Sequence, residues 1–529
     1  MLQIPRNLLS SSLLLPTVAS TSAFHVSRQR AWNEYDNKIF IDQGEDVWNR
    51  TKDMLSFDFR RYKRRYEDAK WDAYKRKPYS RVVNSPQRFE LMPFHADFVI
   101  IGGGIIGSSV AYWLKQRLRD EDLTVVVVEC DDTLSKSSTV LSLGGIRSQF
   151  AAEENVAMSL FTAEFLRNAG EHLRIEDSEP PDINFLPMGY MFLATSQEAA
   201  QYMEEDWCMQ GERGARVDFL SREELQQRFP FICFDDVVAG TIGQENEGAV
   251  DPWQLLSAIR EKNIYNGVQY VIGKVEKFMW ENDNWRLDGT PFANHENLYD
   301  HKKLTGVIVR PQKSDAAPRP VRFHKLINCA GAWAGHIASL TGIGHGKELL
   351  AVPIPVEPRK RYVFVVHCPE GPGLLMPNLV DPSGVWARRV GEGDLYYVGK
   401  NPSAEEELAT DHSNLDVDYD FFHQRIWPIL AARVPAFRNL KIKNAWAGYY
   451  DVNYWDGMPV IGYHPAWWNM FHVCGFAGNG IQHSMAIGRA VMEQHYDGAY
   501  RDINLRKYTP ERLITRRKLP TEKGTTWTY

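Results

Sequence analysis

The sequence predicts a mixed α/β (α+β) protein, with a parallel sheet in one domain and an antiparallel sheet in another. The parallel sheet is predicted by the segment that begins at Ala96. Apolar runs at 97–102 and 123–129 flank a helical stretch at 105–118. A strand–helix–strand order is typical of a parallel sheet, because the helix carries the chain back to the edge where the next strand starts.

The antiparallel sheet is predicted by two other parts of the chain. Residues 181–245 and 345–440 contain short strands rich in Val, Tyr and Phe, such as 361–367 and 395–399, which Pro and Gly separate. Such spacing favours antiparallel strands. We therefore divide the chain into a leader (1–33), a charged extension and linker (34–95), a discontinuous parallel-sheet domain (96–180, 245–344 and 441–500), an antiparallel-sheet domain (181–244 and 345–440) and a tail (501–529).

The composition excludes several classes of function. A formal net charge of -6 over 529 residues gives no global attraction to nucleic acid. The cysteines form no Cys-x-x-Cys pair, which argues against a zinc or iron–sulfur site. No run reaches the roughly 18 apolar residues that a membrane-spanning helix needs. We therefore expect no metal, no nucleic-acid partner and no transmembrane segment.

The N-terminal composition predicts a cellular address. Residues 1–33 contain arginines but no Asp or Glu, and leucines lie among serines. This is typical of a mitochondrial transit peptide. A secretory signal is the alternative, but its apolar core at 13–18 is short and contains Pro16. We expect a location in the matrix or on the matrix face of the inner membrane.

The extension at 34–92 mixes basic, acidic and aromatic residues. A solvated helix that packs its aromatic side on the main body explains this pattern. The alternative is a docking surface for a protein partner or an anionic membrane, which would give peripheral association with the inner membrane.

A glycine-rich turn follows the first strand. Gly102, Gly104 and Gly107 form Gly-x-Gly-x-x-Gly. Gly102 allows the tight turn, Gly104 lets the backbone approach a pyrophosphate, and Gly107 lets the next helix pack on the sheet. The helix N-terminus offers N–H groups to the phosphates. The pattern predicts a Rossmann-like dinucleotide site.

The second strand ends in Glu129, about twenty residues past the glycines, where a carboxylate accepts hydrogen bonds from ribose hydroxyls. An acid there disfavours a 2′-phosphate, which argues against NADP. FAD and NAD both remain open on this motif alone.

Later segments favour a flavin. Small hydroxyl residues at 135–139 suit ribitol and phosphate oxygens, and glycines at 144–145 let the backbone approach a flat ring. A second glycine-rich turn at 475–480 opens a helix whose dipole suits the electron-rich edge of a reduced flavin. The residues expected to bind the cofactor are Gly102, Gly104, Ile106, Gly107, Glu129, Ser137, Ser138, Thr139, Gly144, Gly145, Val275, Ala330, Gly331, Trp333, Gly475, Phe476, Gly478, Asn479 and Gly480.

These motifs together resemble the D-amino-acid oxidase-like superfamily of flavoproteins, near sarcosine oxidase, glycine oxidase and dimethylglycine dehydrogenase. The resemblance covers about residues 96–500. It implies an FAD domain of the glutathione-reductase type and a substrate domain whose antiparallel sheet covers one flavin face. Segments 142–150, 355–363, and 445–451 with 475–480 resemble a mitochondrial branch that assists the assembly of respiratory complex I. That branch implies complex I subunits or assembly intermediates as partners.

The chain departs from these relatives at catalytic positions. Tyr449 and Leu141 stand about where some relatives attach the flavin through Cys or His, so we expect non-covalent FAD. Tyr397 replaces a lysine that assists oxygen reduction in sarcosine oxidases, and Gln482 replaces a lysine that binds the substrate carboxylate. A cation stabilises charge that develops on oxygen. We therefore expect slow turnover with O₂.

Arg147 is the best remaining candidate for a carboxylate anchor, because a guanidinium matches a carboxylate in a two-bond fork. A surface or phosphate-facing role is the alternative. Tyr449 and Gln482 complete the candidate substrate pocket, with core packing as the alternative for the tyrosine. His483 follows the second turn, but the resemblance implies hydride transfer from a free amine, which needs no strong base.

Two functions remain open. One is FAD-dependent oxidation of a small secondary amine or amino acid, as in a sarcosine or dimethylglycine dehydrogenase or oxidase. The other is a flavoprotein scaffold for complex I intermediates, in which FAD mainly stabilises the fold. An NAD-dependent dehydrogenase is a third option, which the segments at 330–333 and 475–480 disfavour.

Overall fold

The computed structural model describes residues 93–117, 123–282, 302–312 and 317–520. The predicted leader (1–33), nearly all of the extension (34–95) and the end of the tail (501–529) lie outside the described residues. The strands in chain order are β1 (His95–Ile101), β2 (Val125–Glu129), β3 (Gly145–Ile146), β4 (Leu186–Pro187), β5 (Tyr190–Ala194), β6 (Val217–Ser221), β7 (Ala239–Gly243), β8 (Gly248–Ala249), β9 (Gln269–Asn282), β10 (Lys302–Pro311), β11 (Arg319–Asn328), β12 (Val356–His367), β13 (Asn378–Val380), β14 (Val385–Val390), β15 (Leu395–Lys400), β16 (Lys441–Asn453), β17 (Val460–His464) and β18 (Trp467–Cys474).

The α-helices of the described residues are α1 (Ile105–Arg117), α2 (Ser138–Leu141), α3 (Glu153–Arg167), α4 (Ala169–Leu173), α5 (Gln197–Glu212), α6 (Arg222–Arg228), α7 (Pro252–Tyr265), α8 (Ala334–Ser339), α9 (Ala404–Ala409), α10 (Tyr419–Phe421), α11 (Trp427–Arg433), α12 (Gly480–Tyr496) and α13 (Glu511–Ile514). A π-helical turn joins α10 to α11 (Phe422–Ile426). The 3₁₀ turns are Gly331–Trp333, Glu348–Leu350, Gly373–Leu375, Pro435–Asn439 and Arg506–Tyr508. Within the described ranges, no helix is both long and apolar enough to cross a membrane.

A seven-stranded sheet forms the first half of the fold. The strands β9, β2, β1, β11 and β18 lie side by side and parallel, as the sequence predicts. β17 pairs antiparallel with β18. β10 pairs antiparallel with the C-terminal part of β9 and with the N-terminal part of β11. The apolar run of β2 is buried throughout, because helices cover both faces of a sheet of this kind.

Two helices that follow glycine-rich turns pack against each other. The Ser109 hydroxyl of α1 donates a hydrogen bond to the Ser484 carbonyl of α12 at 2.8 Å. At Gly488 of α12, a Cβ atom would lie 2.8 Å from the carbonyl oxygen of Ser109. The helix backbones therefore approach closely, and both helix N-termini point to the same edge of the sheet.

An eight-stranded sheet forms the second half, in the order β16–β12–β15–β14–β13–β5–β7–β6. Its pairings are antiparallel except for the parallel pair β13–β5, so the predicted antiparallel sheet is confirmed. One strand differs from the predicted division. The range 441–500 was expected in the parallel-sheet domain, but its first strand, β16, pairs with β12 along its length. Continuous backbone pairing joins β16 to the antiparallel sheet.

The two sheets meet through the loop that follows α2. The Trp446 indole of β16 donates to the Leu141 carbonyl at 2.9 Å, and the Arg388 guanidinium of β14 donates to the Leu143 carbonyl at 2.8 Å. A small sheet of β3, β8 and β4 holds the next part of this loop. The loop therefore has a fixed position between the two sheets.

We expect Gly488→Ala to destabilise the protein by about 1–3 kcal/mol, because the added methyl group forces α1 and α12 apart. Urea unfolding monitored by circular dichroism measures the change. Gly211→Ala is the control, because α5 has nothing within 4 Å of the new Cβ and Ala is the better helix former. Equal stability of the two variants would contradict the close helix packing.

Candidate active site

The described part of the chain encloses a cavity of about 790 Å³ between the glycine-rich turns and the eight-stranded sheet. This volume lies within the range of small-molecule and cofactor sites. One wall is formed by the turns after β1 and β18, and the opposite wall by β13, β14 and β16. The cavity therefore lies where the sequence predicts a cofactor with a substrate domain above it.

The first turn has the geometry of a phosphate cradle. Gly102 adopts a φ of +102°, which L side chains rarely adopt. A Cβ on Gly104 would meet only side-chain oxygens, with Thr139 Oγ1 at 3.3 Å and Ser137 Oγ at 3.8 Å. The space beside Gly104 is thus lined with hydroxyl groups, as a bound phosphate requires.

The carboxylate of Glu129 is hydrogen-bonded to the backbone of this turn. Its Oε2 accepts a hydrogen bond from the Gly103 N–H at 2.7 Å, and its Oε1 accepts one from the Asp131 N–H at 3.0 Å. A carboxylate offers about four lone-pair positions, and Glu129 lines the cavity. It therefore retains acceptor capacity for ribose hydroxyls.

At the second turn, the carboxyl group of Asp451 accepts backbone hydrogen bonds as Glu129 does at the first. Its Oδ2 accepts hydrogen bonds from the N–H groups of Gly475 at 2.9 Å and Phe476 at 3.0 Å. Its carbonyl accepts one from Ala477 at 3.1 Å. Burial raises the pKa of this carboxyl to about 6. A second buried carboxyl group thus holds the backbone that leads into α12.

Most of the predicted cofactor-binding residues line the cavity, namely Gly102, Gly104, Ile106, Glu129, Ser137, Ser138, Thr139, Gly144, Gly145, Val275, Ala330, Gly331, Trp333, Phe476, Gly478, Asn479 and Gly480. Gly107 and Gly475 do not. A Cβ at Gly107 would collide with the Gly102 carbonyl, and the Gly475 N–H faces Asp451. Both positions shape the turns and do not face the cavity.

These features fit FAD. Gly331 has a φ of +53°, and nothing lies within 4 Å of the point where a Cβ atom would stand, which leaves its backbone open to the cavity. Two helix N-termini, α1 and α12, adjoin the cavity at separate glycine-rich turns, which suits a ligand with a pyrophosphate and an electron-rich ring. A nicotinamide dinucleotide accounts for the first turn alone.

The predicted substrate residues also line the cavity, but their surroundings differ. The Arg147 guanidinium lies 4.1 Å from the Phe150 ring centroid and donates to the Gln149 carbonyl at 2.8 Å. Gln482 accepts from the Arg147 N–H at 3.1 Å and donates to Asn479 at 2.6 Å. Its amide therefore positions the Arg147 loop. Tyr449 packs edge-on against Trp333 at 5.7 Å.

His483 is sealed beneath the site. It is 1% exposed, and neither ring nitrogen has a hydrogen-bond partner among the described residues. Burial, with a smaller effect of Arg147, lowers the pKa of His483 to about 3. The ring does not line the cavity, and its low pKa makes it a weak base, so it is no candidate for the base of the reaction.

The opposite wall contains a row of polar residues that the sequence did not predict as part of the site. Tyr190, Asn378 and Arg388 lie on three neighbouring strands and line the cavity. Arg388 lies beside Tyr397, with its Cζ 5.4 Å from the tyrosine ring centroid. A cation is thus adjacent to Tyr397, the position where the resemblance implies a lysine. The one sequence signal was a pair of arginines inside the apolar strand β14.

The fold and the cavity define a class of flavoprotein. Residues 97–494 match the family model described as FAD dependent oxidoreductase, and the chain belongs to this family. FAD is therefore its cofactor.

Individual relatives agree with this assignment. The chain is 46% identical to the FAD-dependent oxidoreductase domain-containing protein 1 of Xenopus laevis over 434 residues, which covers 81% of this chain and 85% of that protein. It is also 46% identical to the protein of the same name from Bos taurus, over 78% of this chain and 84% of that protein. The crystal structure of L-proline dehydrogenase from P.horikoshii has the same fold, with a TM-score of 0.65, 23% identity and coverage of 81% of this chain and 100% of that chain.

The carboxyl of Asp451 gives a pH test of this geometry. Its pKa of about 6 lies above the ordinary 3.8, so the folded protein holds this proton more tightly than the unfolded chain. The group's contribution to the free energy of unfolding then falls as pH rises from about 4 to about 6 and is constant above. The difference corresponds to about 3 kcal/mol.

We expect Asp451→Asn to remove this fall, because the amide keeps an acceptor oxygen but does not ionise. Urea unfolding at a series of pH values measures it. Asp497→Asn is the control, because the Arg117 hydrogen bond lowers the pKa of Asp497 and this variant keeps the fall between pH 4 and 6. Identical slopes for wild type and Asp451→Asn would contradict the assignment.

Proposed function

We propose that this chain is an FAD-dependent dehydrogenase that acts on the C–N bond of a small amine or amino acid. The supporting observation is the cavity that joins two glycine-rich turns to a wall with buried arginines. Phosphate and flavin suit the turns, and a small acid suits the opposite wall. A scaffold with FAD alone would not need Arg388 buried in that wall.

The residues of the chain bind and orient the substrate. Arg147 and Arg388 attract an acid group, and Tyr449 with Trp333 forms an aromatic wall for the amine. His483 is buried away from the cavity, so it does not remove the amine proton, and the amine enters as the free base. When bound, FAD supplies the acceptor for the hydride that leaves the substrate carbon as the amine becomes an imine.

We also propose that the protein is mitochondrial and supports the assembly of respiratory complex I. Two features support this proposal. The first 33 residues have the composition of a transit peptide, and segments at 142–150 and 445–451 resemble a branch with that role. The substitutions at Tyr397 and Gln482 fit a protein in which rapid turnover with O₂ is not required.

We expect the purified protein to be yellow and to lose its flavin on acid precipitation, because neither Tyr449 nor Leu141 forms a covalent link. Under anaerobic conditions, sarcosine, dimethylglycine or proline should bleach the flavin band, at a rate that rises with pH as the free amine increases. Stopped-flow absorption measures both the rate and the later reoxidation in air, which we expect to be slow. A flavin that no amine bleaches would refute the dehydrogenase proposal.

Complementation of cells that lack the protein separates the two roles. Gly104→Val fills the phosphate cradle, so we expect loss of FAD and low complex I. Arg147→Ala should retain FAD and normal complex I if assembly needs only the flavoprotein scaffold. Native gels of respiratory complexes and the flavin content of each variant provide the measurements. Loss of complex I with FAD-replete Arg147→Ala would show that assembly depends on the chemistry.

A further inference from the structure

A polar row crosses the eight-stranded sheet on the face toward the cavity. Asn378 of β13 pairs in register with Tyr190 of β5. Between β13 and the antiparallel strand β14, Val380 pairs with Trp386 and Leu379 with Ala387. The next pair in this register is Asn378 with Arg388. Residues opposite each other on neighbouring strands point to the same face. Tyr190, Asn378 and Arg388 therefore form one surface, here called the Arg388 row.

Arg388 carries a charge that the protein does not neutralise. It is 8% exposed, and within the described ranges no carboxylate lies within ion-pair distance of it. Its guanidinium donates to the Leu143 carbonyl, while Nε has no partner among the described residues. A buried cation without a counter-ion is costly, so this position favours an anionic ligand.

Asn378 adds a second independent observation. It is 2% exposed and lines the cavity. Neither Nδ2 nor Oδ1 of its side chain has a hydrogen-bond partner in the described part of the chain. Buried amide groups without partners are rare and cost free energy. A ligand with acceptor oxygens would accept hydrogen bonds from the Asn378 side-chain nitrogen and from Arg388 together.

The other charged groups near the row are already neutralised. Arg361 forms an ion pair with Glu407 at 2.8 Å, and Lys400 forms one with Glu406. The buried carboxylate of Glu247 accepts hydrogen bonds from Ser148, Gln149 and the Tyr190 N–H. None of these acids approaches Arg388.

Arg147 lies on a different element from the Arg388 row. It follows β3, on the loop that Gln482 and Phe150 hold in place, whereas Arg388 projects from the sheet wall. Two guanidinium groups therefore line the cavity, one from the loop after β3 and one from strand β14. One acid group on the substrate accounts for one of them.

We propose that the Arg388 row is a second anion-binding subsite, and that the preferred substrate is an amine or amino acid with two acidic groups. Arg147 binds one carboxylate beside the amine, and Arg388 with Asn378 and Tyr190 binds the other. This inference deepens the proposed dehydrogenase function and depends on it for the identity of the ligand as a substrate.

The test uses the FAD-containing protein and simple acids as probes. Succinate and malonate carry two carboxylates, and acetate and propionate carry one. Titration monitored by the visible flavin spectrum and by thermal stability gives a Kd for each. We expect Arg388→Met to weaken the dicarboxylates at least about tenfold and to leave the monocarboxylates within about twofold. Arg389→Met is the matched control, because Arg389 is the next residue on β14 and points to the other face.

Asn378→Leu covers the case in which Arg388→Met loses FAD or fails to fold, and we expect the same selective loss for dicarboxylates. Equal weakening of both classes would show a single carboxylate anchor and would overturn the proposal, as would unchanged dicarboxylate binding in a folded variant. If no amine bleaches the flavin but dicarboxylate binding still depends on Arg388, the proposed oxidation fails while the second anion subsite stands.

Discussion

The site depends on a constraint of the parallel sheet. β1 and β18 both end at the same edge, so the turns that follow them open onto one cavity although they are far apart in the chain. Each turn exposes backbone N–H groups that need acceptors, and each has a buried carboxyl group beside it. Glu129 serves the first turn and Asp451 the second. The remaining N–H groups are held ready for an anionic cofactor.

The charge of the cavity has an energetic cost in the absence of ligand. Arg388 and Asn378 lose water on folding and do not regain equivalent partners among the described residues. A ligand that binds only the folded state restores these interactions and stabilises the protein by mass action. The polar groups that lower the stability of the unliganded protein are therefore the groups best suited to bind a ligand, as is common at functional sites.

Tyr449, Tyr397 and Gln482 make packing and hydrogen-bond contacts in this fold. Tyr449 lies edge-on against Trp333, and Tyr397 lies edge-on against Trp446 at 5.7 Å. Gln482 connects the Arg147 loop to Asn479 through both polar ends of its amide. The cation absent at 397 and 482 is present at Arg388, one strand away from Tyr397. The positive charge of this wall therefore lies on β14.

The sequence by itself determined the two glycine-rich turns, Glu129 and the parallel and antiparallel character of the sheets, because these features depend on local residue order and strand periodicity. It also indicated that Arg147 lies near the cavity. Only the tertiary structure decided the Arg388 row, the membership of β16 in the antiparallel sheet and the neutral, sealed state of His483. Strand register and burial determine these features, and both arise from contacts between residues that are distant in the chain.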